Sequence, residues 1–530
     1  MAAPDDAPAT AVLLLSAGLA ALVAYAVAAV TYNVYLHPLA KFPGPPLARA
    51  TVYWKAYAEC VQNRSFCHYL VELHARYGDV VRVGPNELHF ANPKAYHDIY
   101  NNRNRWDKEA TLYQSFNEDR SSFGFLTHAE AKERKHVLNP SFSQAAIRNA
   151  QPLCIDKTKQ LCAAFERQAK ASKSIDLFLA FRCMSVDVIT TLCFGNPIHA
   201  VDAPDFKAPI VVALDASTPV SLYFKYSDLF KNFILKCPPK LSRVLSPLTA
   251  GLIDLNELLM HQINDLTNNP EKLKLLPHNM TVFHRLMDPD AHRDKKVPCT
   301  GSLYEETQAL MFGGTDTTGN TLMVGAFHLL KEPAAWQKLK SELLAAWPLL
   351  EGEGPTLSEL ESLPYLNAVI KESLRLSSGV TSGLLRIVPS TGATISGVAV
   401  PPKTIVSCGS TFVHYNADIF PKPDKFVPER WLETPDLDNW LVAFSRGPRM
   451  CLGINLAWAE LRLAFAHVYR KFDMTPAKPL YACTPVIISF TIFLLLPLTM
   501  DRPDKLLWRD VFLPYYYDEH LQVNMQLVNA

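Results

Sequence analysis

The stretch Phe444-Ser445-Arg446-Gly447-Pro448-Arg449-Met450-Cys451-Leu452-Gly453 governs the reading of this 530-residue chain. It sets one cysteine between two glycines, with an arginine two places before it, in the pattern F-x-x-G-x-R-x-C-x-G. Five fixed positions of this kind meet by chance in roughly one chain in ten thousand. Gly447 and Gly453 permit a tight turn and a close approach of backbone to a bound group. From Ile454 to Tyr469 the pattern becomes that of an apolar helix. The N-terminal end of such a helix favours an anionic sulfur. The chain has eleven cysteines, scattered from Cys60 to Cys483 without a CxxC pair. The other ten read as small buried apolar residues in a reducing compartment.

Three further segments carry chemistry-bearing residues. Lys371-Glu372-Ser373-Leu374-Arg375 places an acid and a base three residues apart, on one helix face, where they can pair. Phe426-Val427-Pro428-Glu429-Arg430-Trp431 sets a further acid and a second arginine side by side. Gly313-Gly314-Thr315-Asp316-Thr317-Thr318 interrupts a long helical pattern with residues that weaken a helix. A functional reading of the interruption gives Asp316 and Thr317 hydroxyl and carboxyl groups suited to moving protons.

Taken together and in this order, the segments resemble the cytochrome P-450 superfamily of haem-thiolate monooxygenases, and the resemblance runs along almost the whole chain. It implies a mainly α fold, a large helical domain with small β-sheets, and a haem b cofactor. Cys451 would be the thiolate ligand to iron, with Phe444 shielding the sulfur and Gly447 and Gly453 shaping the loop. Arg449 would supply donors to a haem propionate. Arg386, in Leu384-Leu385-Arg386-Ile387-Val388-Pro389, is similar to a second propionate-binding arginine. The glycines at 313 and 314 would leave room above the iron, Asp316 would relay protons, and Thr317 would donate a hydrogen bond to bound oxygen. The family's helical Trp-x-x-x-Arg has no Trp here; its Arg position falls on Lys135, beside Arg134, within His128–Ser143. That basic run equally offers a face to an acidic redox partner.

At the N-terminus, residues 9–30 are uncharged and rich in Ala, Leu and Val. At 1.5 Å per residue they span roughly 33 Å, the thickness of a hydrocarbon core. Asp5 and Asp6 precede the run, where a signal peptide would carry Lys or Arg, and the first basic residues follow it at Lys41, Arg49 and Lys55. These features predict a permanent single-pass anchor with the bulk of the chain cytosolic, at the endoplasmic reticulum membrane. The expected organisation is a short lumenal segment (1–8), the anchor (9–30), a stiff proline-rich linker (31–46) and one catalytic domain (47–530). Helical periodicity marks Asn149–Lys170, Leu303–Leu330, Pro333–Ala346 and Ser358–Leu376. Strand-like runs fall at Asp79–Val83, Glu87–Phe90, Leu385–Val388 and Ile405–Cys408. Tyr481–Leu498 is an uncharged 18-residue run foreign to the family's pattern, read as a lineage-specific insertion or a retained intron.

Lys and Arg number 52 against 51 Asp and Glu, a formal charge of +1 that gives no reason to expect nucleic acid as partner. With no flavin or nicotinamide motif in the chain, electrons are expected from NADPH through a separate cytochrome reductase, with cytochrome b5 as a further donor. The expected reaction is insertion of one oxygen atom from dioxygen into a small apolar substrate. Tyr32–Leu39 and Asn139–Ser143 resemble fungal microsomal members of the trichodiene-oxygenase type, which implies secondary metabolism and a terpenoid substrate. The competing readings are a haem-thiolate isomerase or dehydratase and a non-catalytic membrane haem protein.

Overall fold

The computed structural model describes residues 7–528 apart from 239, 242–243, 245–246, 275–280, 351–353, 478–505, 507 and 517–519. The run expected as an insertion, 481–498, lies outside the described residues. Two compact units emerge, one from residues 1–99 and 383–408, the other from 100–382 and 409–530.

The first unit begins with helix α1 (Ala7–Thr31), extended to Leu36 by one wider turn. Its leucines and valines are exposed around the whole circumference. An all-round apolar surface suits a lipid environment, and the 25 residues Val12–Leu36 are long and apolar enough to cross a membrane. His37 ends the helix in an extended conformation, as the residue before a proline should. The segment expected as a linker is docked beyond that point: Leu39 and Phe42 are buried. The Arg82 amide donates to the Pro43 carbonyl at 2.7 Å. Gly44 passes so close to the Arg82 carbonyl that a Cβ would sit 2.2 Å from its oxygen, so no other residue fits there. Helix α2 (Phe66–Tyr77) leads into strands β1 (Val80–Gly84) and β2 (Glu87–Phe90). The later part of the unit supplies β3 (Arg386–Ile387), β4 (Ala393–Ile395), β5 (Val398–Val400) and β6 (Ile405–Ser407). The main sheet runs β1-β2-β6-β3, antiparallel except for β2 with β6, and β4–β5 is a separate hairpin.

Besides Pro209–Phe224 and Pro247–Asn268, the second unit holds the helices that bear on the site: α3 (His128–Leu138), α4 (Gln151–Lys170), α5 (Leu177–Phe194), α6 (Thr300–Lys331), α7 (Pro333–Ala346), α8 (Pro364–Ser377) and α9 (Ile454–Lys471). Two separate sheets follow α9: in one, β7 (Phe472–Pro476) pairs with β10 (Gln522–Leu527), and in the other β8 (Trp508–Asp510) pairs with β9 (Pro514–Tyr516). Helix α5 is apolar and long enough to span a membrane, but it is 94% buried and forms the core instead. Its main partner is α6. Glycines set that contact: a Cβ on Gly314 would meet Ile189 at 2.9 Å, and one on Gly319 would meet Arg182 at 2.8 Å. Farther along α6, Gly325 lies under Phe465 of α9 and Ser373 of α8.

The expected helix over 358–376 is two helices, because Pro364 has no amide proton to continue the first; Leu357–Glu361 stops and α8 starts with proline at its first position. Among the described residues, six of ten cysteines are buried, while Cys299 and Cys451 are exposed.

Candidate active site

The cysteine loop is anchored on a buried ionic cluster. Glu372 receives both Nε and Nη2 of Arg375 at 2.9 Å, Nε of Arg430 at 3.2 Å and Nε1 of Trp431 at 2.9 Å. Arg375 turns its remaining donor to the carbonyls of His414 and Pro423, at 2.7 and 2.8 Å. His414 in turn accepts the Val442 amide, two residues before Phe444. The side chains of Glu372 and Arg375 are fully buried, so their charges persist only because every lone pair and proton is matched. Helix α8 thus holds the polypeptide that enters the loop.

Within the loop the Cys451 amide donates to the Phe444 carbonyl at 2.9 Å, and the Met450 amide to Gly447 at 3.1 Å. Gly447 has φ +76°, and a Cβ there would lie 2.8 Å from the Asn101 carbonyl oxygen, so both conformation and space call for glycine. At Gly453 a Cβ would meet nothing within 4 Å. The Cys451 side chain is reachable by solvent. It is nonetheless surrounded closely enough that desolvation pushes its thiol above the usual range, against the Gly453 amide and the Lys135 cation, which pull it down. Phe444 is half-buried beside it.

Arg449 donates to the carbonyls of Thr127 and Phe125, at the approach to α3. Lys135, two turns along α3, returns the contact: its amine donates to the Met450 carbonyl at 2.8 Å and the Pro448 carbonyl at 3.2 Å. Arg134 points inward as well, paired with Glu306 at 2.8 Å and nearly buried. The two central cations of the basic run are therefore committed to the interior, and only Lys132 and His136 of its bases stay exposed. That correction to the partner-facing reading follows from helical spacing, which puts 134 and 135 on the packed side of α3.

In α6 the two adjacent glycines do different work. Gly314 makes room for α5, whereas Gly313 has no atom within 4 Å of a Cβ and is exposed between buried Met311 and Thr315. The opening expected above both belongs to Gly313 alone. The Thr317 hydroxyl donates to the Gly313 carbonyl at 2.8 Å, the back-bond that threonine makes inside helices. Asp316 is buried; its Oδ1 accepts Nε of Arg182 at 2.7 Å, and its Oδ2 has no hydrogen-bond partner among the described residues. Arg182 sits 3.5 Å above the Phe178 ring. Sequence reasoning passed over Arg182, although an arginine in the otherwise apolar Leu177–Phe181 and Cys183–Val186 runs is a signal that can be read. Arg386 lies on β3 of the first unit, buried, with its guanidinium on the Leu385 carbonyl.

The cytochrome P-450 family model matches residues 43–487. The chain is 33% identical to the cytochrome P-450 monooxygenase MO6277 of Ascocoryne sarcoides over 469 residues, 86% of this chain and 90% of that one. It is 33% identical to the tryptophan 6-hydroxylase fscE of Fusarium equiseti, covering 83% and 87% of the two chains. It is 29% identical to the cytochrome P-450 monooxygenase TRI4 of Fusarium sporotrichioides, covering 89% and 90%, in keeping with the expected likeness to trichodiene-oxygenase-like members. The chain belongs to the cytochrome P-450 family and is an oxidoreductase of the monooxygenase kind.

Proposed function

We propose that this chain inserts one atom of dioxygen into a small apolar secondary metabolite, a terpenoid being the leading class, with electrons delivered from NADPH by a separate cytochrome reductase at the endoplasmic reticulum. The observation that carries the proposal is the Cys451 thiol, reachable by solvent, with the Gly453 amide aimed at its sulfur.

Haem is the cofactor that the family implies, and the residues present fit it. Cys451 offers a single soft donor, whose anion the Gly453 amide and the Lys135 cation stabilise. Arg449 is the loop's donor for a propionate. Gly313 leaves open space where its neighbours are packed. When bound, haem supplies the binding and reductive activation of dioxygen.

This chain's own contribution is proton handling and exclusion of water. Asp316 Oδ1 is tied to Arg182, which fixes the carboxylate and leaves Oδ2 as the atom that takes up and passes on a proton. The Thr317 hydroxyl donates to the Gly313 carbonyl and keeps its oxygen lone pairs free to accept a hydrogen bond from the group that carries that proton onward. Phe444 keeps bulk water from the sulfur.

The test is turnover. Purified protein with a fungal NADPH–cytochrome reductase, offered a panel of sesquiterpenes and indolic amino acids, should consume NADPH and give a product one oxygen heavier. Asp316→Asn should lower product formation about 10²-fold or more while NADPH oxidation continues as peroxide release. Product formed without NADPH would point to an isomerase or dehydratase; no product and no stimulated NADPH oxidation across the panel would contradict the proposal.

A further inference from the structure

We propose that Lys135 is a positioning residue, a clamp that holds the cysteine loop against α3, rather than a ligand of a propionate. The contact between loop and helix is reciprocal. Arg449 crosses from the loop to the carbonyls of Phe125 and Thr127, the latter being the residue whose hydroxyl caps α3. Lys135 crosses back to the carbonyls of Pro448 and Met450. Those two carbonyls flank Arg449 in the turn, while the loop's own amides at Met450 and Cys451 close on Gly447 and Phe444. Partly buried carbonyls need a donor from elsewhere, and an ammonium with three protons serves two at once.

The amine is also close enough to Cys451 for the two charges to act on each other, each favouring the other's ionised form. The clamp therefore fixes the loop and places a cation beside the sulfur. Its effect on a haem thiolate rests on the proposed function; its effect on the loop does not.

The test uses the full chain purified with its haem, as the parent and as Lys135→Met and Lys135→Arg. Hydrogen–deuterium exchange is read over residues 444–453, with α5 as the control for an intact core. Haem loss to a scavenging apoglobin and the absorption of the reduced carbon monoxide complex are read alongside. The clamp predicts exchange at Met450 and Cys451 rising about tenfold in Lys135→Met with α5 unchanged. A fraction of the carbon monoxide complex should lose its thiolate-type band, and Lys135→Arg, which keeps charge and donors, should recover most of both. Unchanged loop exchange in Lys135→Met overturns the clamp, and if haem loss is accelerated at the same time Lys135 is a propionate ligand. Should Lys135→Met not fold, Lys135→Gln is read by the same criteria. A parent without the thiolate-type band would sink the proposed function yet leave the exchange result to decide the clamp.

Discussion

Glu460, on the helix that follows the cysteine loop, faces the core with both carboxyl oxygens unpartnered among the described residues. Burial pushes its pKa up to about 8, and a contact with Ser185 opposes the shift only in part. The folded protein thus holds the neutral acid while the unfolded chain ionises near the ordinary value of 4.5. Folding is favoured most below that value, and the advantage is lost as pH rises from about 4.5 to about 8. Over that window the loss is on the order of a few kcal/mol. Denaturation midpoints should fall between pH 5 and pH 8, and Glu460→Gln, an isostere of the neutral acid, should flatten the fall; a midpoint rising with pH in the parent and unaffected by the substitution would contradict this. Glu460 escaped the sequence reading because one acid in an amphipathic helix looks like a surface residue until its face is known. Cys451, Arg449, Asp316 and Thr317 were legible for the opposite reason: each sits in a pattern that local structure alone cannot explain. What the pattern did not convey was their partners. Lys135 on two carbonyls and Arg182 on Asp316 join residues more than a hundred positions apart.

Helix α6 shows how a site is built by letting one element touch its neighbours unequally. Its glycines at 314, 319 and 325 bring α5, α8 and α9 to close contact, and Gly313 does not. Gly314→Ala should therefore force its methyl into Ile189 and cost about 1–3 kcal/mol of stability. Gly313→Ala should leave stability equal or raise it by up to about 1 kcal/mol, through helix propensity, while narrowing the opening. Thermal unfolding of the two variants distinguishes them, and equal destabilisation would contradict the assignment. Helices α4, α6, α7 and α9 and the four short strands of the first unit's sheet were readable from periodicity, whereas Pro209–Phe224 and Pro247–Asn268 were not picked out. Core helix α5 was not, since an apolar run without alternation carries no phase. The break before α8 was announced by Pro364 and overlooked because the apolar spacing continues across it.

On the scale of the whole chain, α1 is, among the described residues, a helix whose exposed surface is apolar all round, and residues 33–44 tie it to the first unit. Arg82 Nη2 donates to the Asn33 carbonyl at 2.8 Å, and Arg49 Nη2 donates to Val34 and Ala40 at 3.0 and 3.1 Å. Removing residues 1–31 should release the protein from membranes and leave its stability unchanged. Removing 1–36 should also strip acceptors from two partly buried guanidinium groups and lower stability by about 1–3 kcal/mol. Fractionation and unfolding of both truncations check this; a 1–31 deletion that stays membrane-bound would mean that another surface anchors the chain.

The central claim is that Cys451 binds haem iron as a thiolate. The absorption spectrum of the dithionite-reduced protein under carbon monoxide, recorded beside Cys451→Ser, tests it most directly. A red-shifted Soret band is expected in the parent and should be absent from the variant. A parent with no haem, with only the band of a haem lacking a thiolate ligand, or with a red-shifted band that survives in Cys451→Ser would contradict it.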